Sequence, residues 1–105
     1  MMRMFYAGGS ILTSDDIAAA IVAYAQTLAR AGTSDVVSVP IVQEEDLKQG
    51  TASMLIGPGS QLLCVPVVHD GVTGPIDNGL VGELERRRQA LASSSSRHRT
   101  MSRNG

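Results

Sequence analysis

The sequence has no tryptophan and only three aromatic residues, Phe5, Tyr6 and Tyr24. Any core must therefore be filled by small aliphatics, and little aromatic surface remains for stacking bases or sugars. Cys64 is the single cysteine, which excludes an internal disulfide and fits a reducing cytoplasm. The longest apolar run of the first predicted helix, Ile17 to Ala25, is too short to span a bilayer. Near the N-terminus, Gly8-Gly9-Ser10 breaks the apolar stretch before the hydrophobic region of a signal peptide can form. No membrane association is expected. Lys48 is the only lysine beside eight arginines, and the net charge is −1.

That small net charge hides an asymmetry. Residues 1–82 carry three cations and eight acids, whereas residues 83–105 carry six arginines and two glutamates. The C-terminal end is thus suited to an acidic partner, including its own body or a neighbouring copy. At 105 residues the chain has the length of one domain. Residues 1–92 are expected to fold as a single α+β unit. Residues 93–105, SSSSRHRTMSRNG, show no hydrophobic periodicity and are expected to be a disordered tail.

The clearest local signal is Thr13 to Gly32. Thr13 is the expected N-cap with Asp16 three residues on, and Leu12 is placed to staple to Ile17. Asp15 and Asp16 suit the positive end of the helix dipole. Ile17, Ile21, Tyr24 and Leu28 recur at helical spacing, and Gly32 is the expected stop. Arg3 to Tyr6 reads as a first strand ended by Gly8-Gly9. Asp35–Val42, Thr51–Ile56 and Gln61–Val68 read as three more strands, with Val37, Val39 and Ile41 on one face. Pro40 and Pro66 push their strands towards edges, so Thr51–Ile56 is expected in the middle of an antiparallel meander. Asp77 is the expected cap of a second helix, with Ile76 stapling to Val81. The predicted architecture is α+β, in the order β-α-β-β-β-α, with both helices on one face of an antiparallel sheet.

Candidate sites are few. Gly8-Gly9-Ser10 and Gly57-Pro58-Gly59-Ser60 read as turns, since neither has the Gly-Lys-Ser/Thr of a phosphate loop. His69-Asp70 is the one adjacent pair with the chemistry of a metal ligand or a general base. It supports a small-enzyme alternative, but a metal site needs three or four ligands. Cys64 has no neighbouring base and reads as a buried thiol. No catalytic, cofactor-binding or metal-binding residue is assigned. Arg86, Arg87 and Arg88 form a candidate anion contact, and a nucleic-acid partner reached through them and the tail is a second alternative. Between Ile17 and Ala25 no side chain is charged, so the helix needs cover on more than one side. Ile17, Ile21, Tyr24 and Leu28 are therefore the candidate interface residues. The favoured expectation is a cytoplasmic, non-enzymatic interaction or accessory protein that forms a homo-oligomer or takes a protein partner.

The succession of Phe5-Tyr6-Ala7-Gly8-Gly9, Asp15-Asp16, Leu28-Ala29-Arg30-Ala31-Gly32 and Ala52-Ser53-Met54-Leu55-Ile56-Gly57-Pro58 resembles a group of small actinobacterial proteins of unknown function. The likeness spans residues 4–92 loosely, and the aromatic-rich strands of that group are missing here. Some of its members carry an automatic label of ATP-dependent DNA ligase. An adenylating ligase needs a nucleophilic lysine in Lys-x-Asp-Gly, whereas Lys48 is followed by Gln49-Gly50. The resemblance therefore implies a fold and no activity.

Overall fold

The computed structural model describes residues 1–68 and 74–104, with side chains described through residue 93. The chain runs β1 (Met2–Tyr6), β2 (Gly9–Thr13), α1 (Asp15–Ala31), β3 (Asp35–Val42), β4 (Gln49–Ile56), β5 (Leu63–Pro66) and α2 (Asn78–Asn104). The α+β class is as expected: one antiparallel five-stranded sheet with both helices on one face.

The predicted first strand arrives as a hairpin. Tyr6 pairs with Gly9 across a two-residue loop, Ala7-Gly8, in which both residues have positive φ, 52° and 82°. Those angles fit the primed turn whose twist matches flanking strands. Glycine adopts this backbone freely; alanine does so at a steric cost.

The extra strand moves the helix start by one residue. Thr13 ends β2, and Ser14 caps α1, its hydroxyl accepting from the Ile17 N–H at 3.4 Å. The Thr13 side chain instead turns inward, fully buried, and donates to the Pro40 carbonyl at 2.8 Å. Gly32 stops α1 in the left-handed conformation. The Thr33 N–H reaches the Leu28 carbonyl and the Gly32 N–H reaches that of Ala29, which satisfies the helix end. Asp77 caps α2 as expected, accepting from the Leu80 N–H at 2.9 Å. Ile76, the expected staple, points into solvent.

The strand order is β4-β3-β2-β1-β5. This corrects the predicted meander. β5 leaves β4 and pairs with β1, so β4 lies at an edge and β3, with its proline, lies inside. Pro40 is tolerated because of the side on which its missing N–H falls. In an antiparallel strand one residue directs both N–H and C=O to the same neighbour. The Pro40 carbonyl meets Thr13 on the β2 side, so the β4 ladder loses nothing. On the β2 side the join is thin: Leu12 and Val42 are the one registered pair. The sheet is thus two ribbons, β3–β4 and β2–β1–β5, meeting at a short seam. It also curls, since the Tyr6 hydroxyl donates to the Leu55 carbonyl although two strands separate β1 from β4 in the order.

The core lies between the sheet and the helices. Met4, Val37, Val39, Met54 and Ile56 face Ile17, Ile21, Tyr24 and Leu28 of α1 and Leu84 of α2. The face predicted from Val37, Val39 and Ile41 is the face that packs. α2 is helical through Asn104, where the sequence predicts no ordered element beyond 92. No glycine or proline stands between Leu84 and Asn104 to stop it. Gly105 and the side chains from 94 onward lie outside the described residues, so the domain boundary at 92 stays an expectation.

Candidate functional site

The four candidate interface residues of α1 sit in the interior. Ile17, Ile21, Tyr24 and Leu28 are 0–3% exposed, covered by the sheet on one side and α2 on the other. The second cover that α1 requires is therefore supplied within the chain. The outer stripe of α1 is Asp15, Ala19, Val22, Gln26 and Arg30, a mixed surface.

Tyr24 does more than fill space. Its hydroxyl donates to Oδ2 of Asp35 on β3, and Arg87 of α2 donates to the same oxygen at 3.1 Å. Burial, then the hydrogen bond and charge of Asp35, push the Tyr24 phenol up to about 12. The same hydrogen bond, the Val36 N–H and the Arg87 charge hold the Asp35 carboxyl below its ordinary range.

The arginine cluster is locally matched. Arg86 pairs with Glu83 at 2.7 Å, Arg87 with Glu83 and Asp35, and Arg88 with Glu85. The hydrogen bond from Arg88, aided by Gln89, draws the Glu85 carboxyl down to about 2. A phosphate arriving here must displace a carboxylate already in place. His69 and Asp70 lie outside the described residues. Cys64 is half-buried on the helix side of β5, and burial raises its thiol pKa. Among the described residues no three His, Cys, Asp or Glu side chains are grouped to hold a metal.

A cleft of about 660 Å³ lies between the β1–β2 turn and the β4–β5 connection. Phe5, Tyr6, Ser60, Gln61 and Leu63 are among its lining, and no lining residue is acidic, basic or a thiol. Its hydroxyls are engaged: Tyr6 binds the Leu55 carbonyl, and Ser60 accepts from the Gly57 N–H at 3.0 Å. This cleft offers shape and hydrogen bonds, with no group able to act as a nucleophile's base.

The helix-free side of the sheet is different in character. Register partners share a face, which places Phe5 with Leu63, Val36 with Leu55, and Arg3 with Val65 on that side. Phe5, Val36, Leu55, Leu63 and Val65 are each 40–60% exposed. Leu12 and Val42 lie on the same side yet are buried, and Arg3, opposite Leu12, is ion-paired with Glu44. Sequence reasoning found the alternation in β3 but missed this surface. The signal was the odd-and-even pattern of apolar residues in Asp35–Val42 and Thr51–Ile56, where both faces carry aliphatics.

No family model matches this chain, and neither a curated protein nor a solved structure matches it. The resemblance to small actinobacterial proteins therefore rests on its sequence motifs alone. Among the described residues no helix is long and apolar enough to cross a membrane.

Proposed function

We infer that this protein is a non-enzymatic interaction module of the cytoplasm, self-associating, whose contact surface is the helix-free side of its sheet. One observation carries this reading: five large apolar side chains stand exposed on a face that neither helix covers. They stand in two groups, Val36 with Leu55 on the β3–β4 ribbon and Phe5 with Leu63 and Val65 on β1–β5, and exposed clusters of large apolar side chains mark interaction sites. The fold spends α1 and α2 on the opposite face, which leaves this one for another molecule. The cleft beside it offers hydrogen bonds and no acid–base pair, which suits binding rather than turnover.

Light scattering across the micromolar range tests the self-association. The expected result is a mass that rises with concentration. A chain that stays monomeric at high micromolar concentration overturns it. Leu63→Lys tests the face: the substitution places charge in the apolar surface and is expected to weaken partner binding while leaving the melting temperature within a few degrees.

A further inference from the structure

Among the described residues, the outer edge of β4 carries none of the usual protection of a sheet edge. Natural sheet edges are blunted by charge, proline, bulges or shortness, because their free N–H and C=O groups recruit other strands. β5 obeys this rule, with four residues ending in Pro66. β4 does not. It has eight residues, none of them charged and none proline, and among the described residues it pairs only with β3.

Its backbone phase is fixed by three observations. Pro40, opposite Thr51, has no N–H, and its carbonyl is held on the β2 side by Thr13. The Val36 N–H, opposite Leu55, goes to the Asp35 side chain at 2.8 Å instead of to β4. The Leu55 carbonyl accepts from Tyr6. All three make Thr51 and Leu55 residues whose peptide groups point away from β3. By alternation, Gln49 and Ser53 point the same way, while Gly50, Ala52 and Met54 bond to Ile41, Val39 and Val37.

We propose that two copies of this chain join antiparallel along β4, about a two-fold axis at Thr51, into one continuous sheet. The proposal rests on the self-association inferred above and supplies its contact. With the axis at Thr51, Gln49 faces the second copy's Ser53 and Thr51 faces its own equivalent. Every outward peptide group between 49 and 53 then finds a partner. On the helix-free side these are neutral polar pairs, Thr with Thr and Gln with Ser, of the kind that stabilise adjacent strands. On the helix side Gly50 meets Ala52, so nothing bulky obstructs the seam. An axis at Ser53 would instead set Thr51 against Leu55, whose carbonyl Tyr6 already occupies. The Thr51 axis leaves that carbonyl to Tyr6 alone. A second copy is the occupant because the edge matches its own reverse and carries no charge to select a basic or acidic peptide. The joint is short, below the size of a standard interface, so the dimer is weak and concentration-dependent. It sets the Val36 and Leu55 pairs of both copies on one enlarged face.

Sedimentation of the full chain tests this. Thr51→Lys places two ammonium groups on the axis and is expected to weaken self-association at least tenfold, as is Thr51→Glu. Thr51 is exposed, so both variants keep the wild-type circular dichroism and urea midpoint. An equimolar mixture of the two is expected to restore the dimer as a heterodimer, which loss of folding could not produce. Thr51→Lys that dimerises like wild type, or a mixture that stays monomeric, overturns the edge contact alone. Self-association lost in Leu63→Lys but kept in Thr51→Lys assigns the second copy to the helix-free face instead. A wild-type chain that never dimerises overturns the inferred self-association as well and leaves the edge to a strand of another protein.

Discussion

The phenol of Tyr24 lies 2.5 Å from Oδ2 of Asp35, an oxygen that Arg87 also reaches, so one carboxylate ties α1, β3 and α2 together. Tyr24→Phe removes the donor while keeping the ring in the core. A hydrogen bond to a charged group contributes about 2 kcal/mol, and the urea midpoint is expected to fall accordingly. The bond also has an alkaline signature. The folded state raises the Tyr24 pKa from 10.0 to about 12, so its contribution is complete below pH 10 and is lost as pH rises through about 12. Absorbance at tyrosinate wavelengths is expected to show a step near pH 12 that Tyr24→Phe abolishes.

The acid limb depends on the other partner. Asp35 titrates below its ordinary 3.8, chiefly because Tyr24 donates to its ionised form, with the Val36 N–H and Arg87 adding to the effect. A depressed carboxylate contributes stability that is complete above its unfolded pKa and lost as pH falls through the folded one. Asp35→Asn is therefore expected to lower stability at pH 7 and to flatten its decline below about pH 4. Urea denaturation at stepped pH reads both effects.

Ala7 holds a positive φ of 52° at the first position of the β1–β2 turn. Asparagine tolerates that region better than alanine and is favoured in such turns. Ala7→Asn is expected to stabilise the protein by about 0.5–1 kcal/mol, raising the melting temperature by a few degrees. A fall in melting temperature would show that the turn does not carry this strain.

Among the described residues, Leu84 is the one fully buried side chain of α2. Leu84→Ala removes its contact with the core and leaves a cavity, at an expected cost of about 3 kcal/mol. Arg86→Ala, two residues along and exposed, deletes a pair with Glu83 and is expected to change stability by less than about 0.5 kcal/mol. Parallel urea melts of the two variants separate docking from surface charge.

The helices were legible because their information is local. The Ile17–Leu28 stripe, Gly32 and Asp77 all lie within a few residues of what they control. The cap of α1 slipped by one residue because Thr13 and Ser14 are both competent, and only the burial of Thr13 decides between them. β2 was hidden by Gly9 and Ser10, weak strand formers next to a loop whose Ala7 gives no turn signal. The strand order was not legible. β5 meets β1 across nearly the whole domain, and no residue in either strand announces the other. Pro40 pointed to an edge because its missing N–H was counted without knowing which neighbour it faced. The open face and the edge of β4 follow from register, which alternation alone cannot supply.

The thin join between β2 and β3 divides the molecule's resistance to opening. The long β3–β4 ladder and the β2–β1–β5 ribbon each hold many backbone bonds, whereas Leu12 and Val42 bridge them nearly alone. Amide exchange at this seam is then set by small partial openings, while protons within either ribbon wait for larger ones. The two ribbons share a core through α1, so the helix, more than the sheet, makes them one cooperative unit.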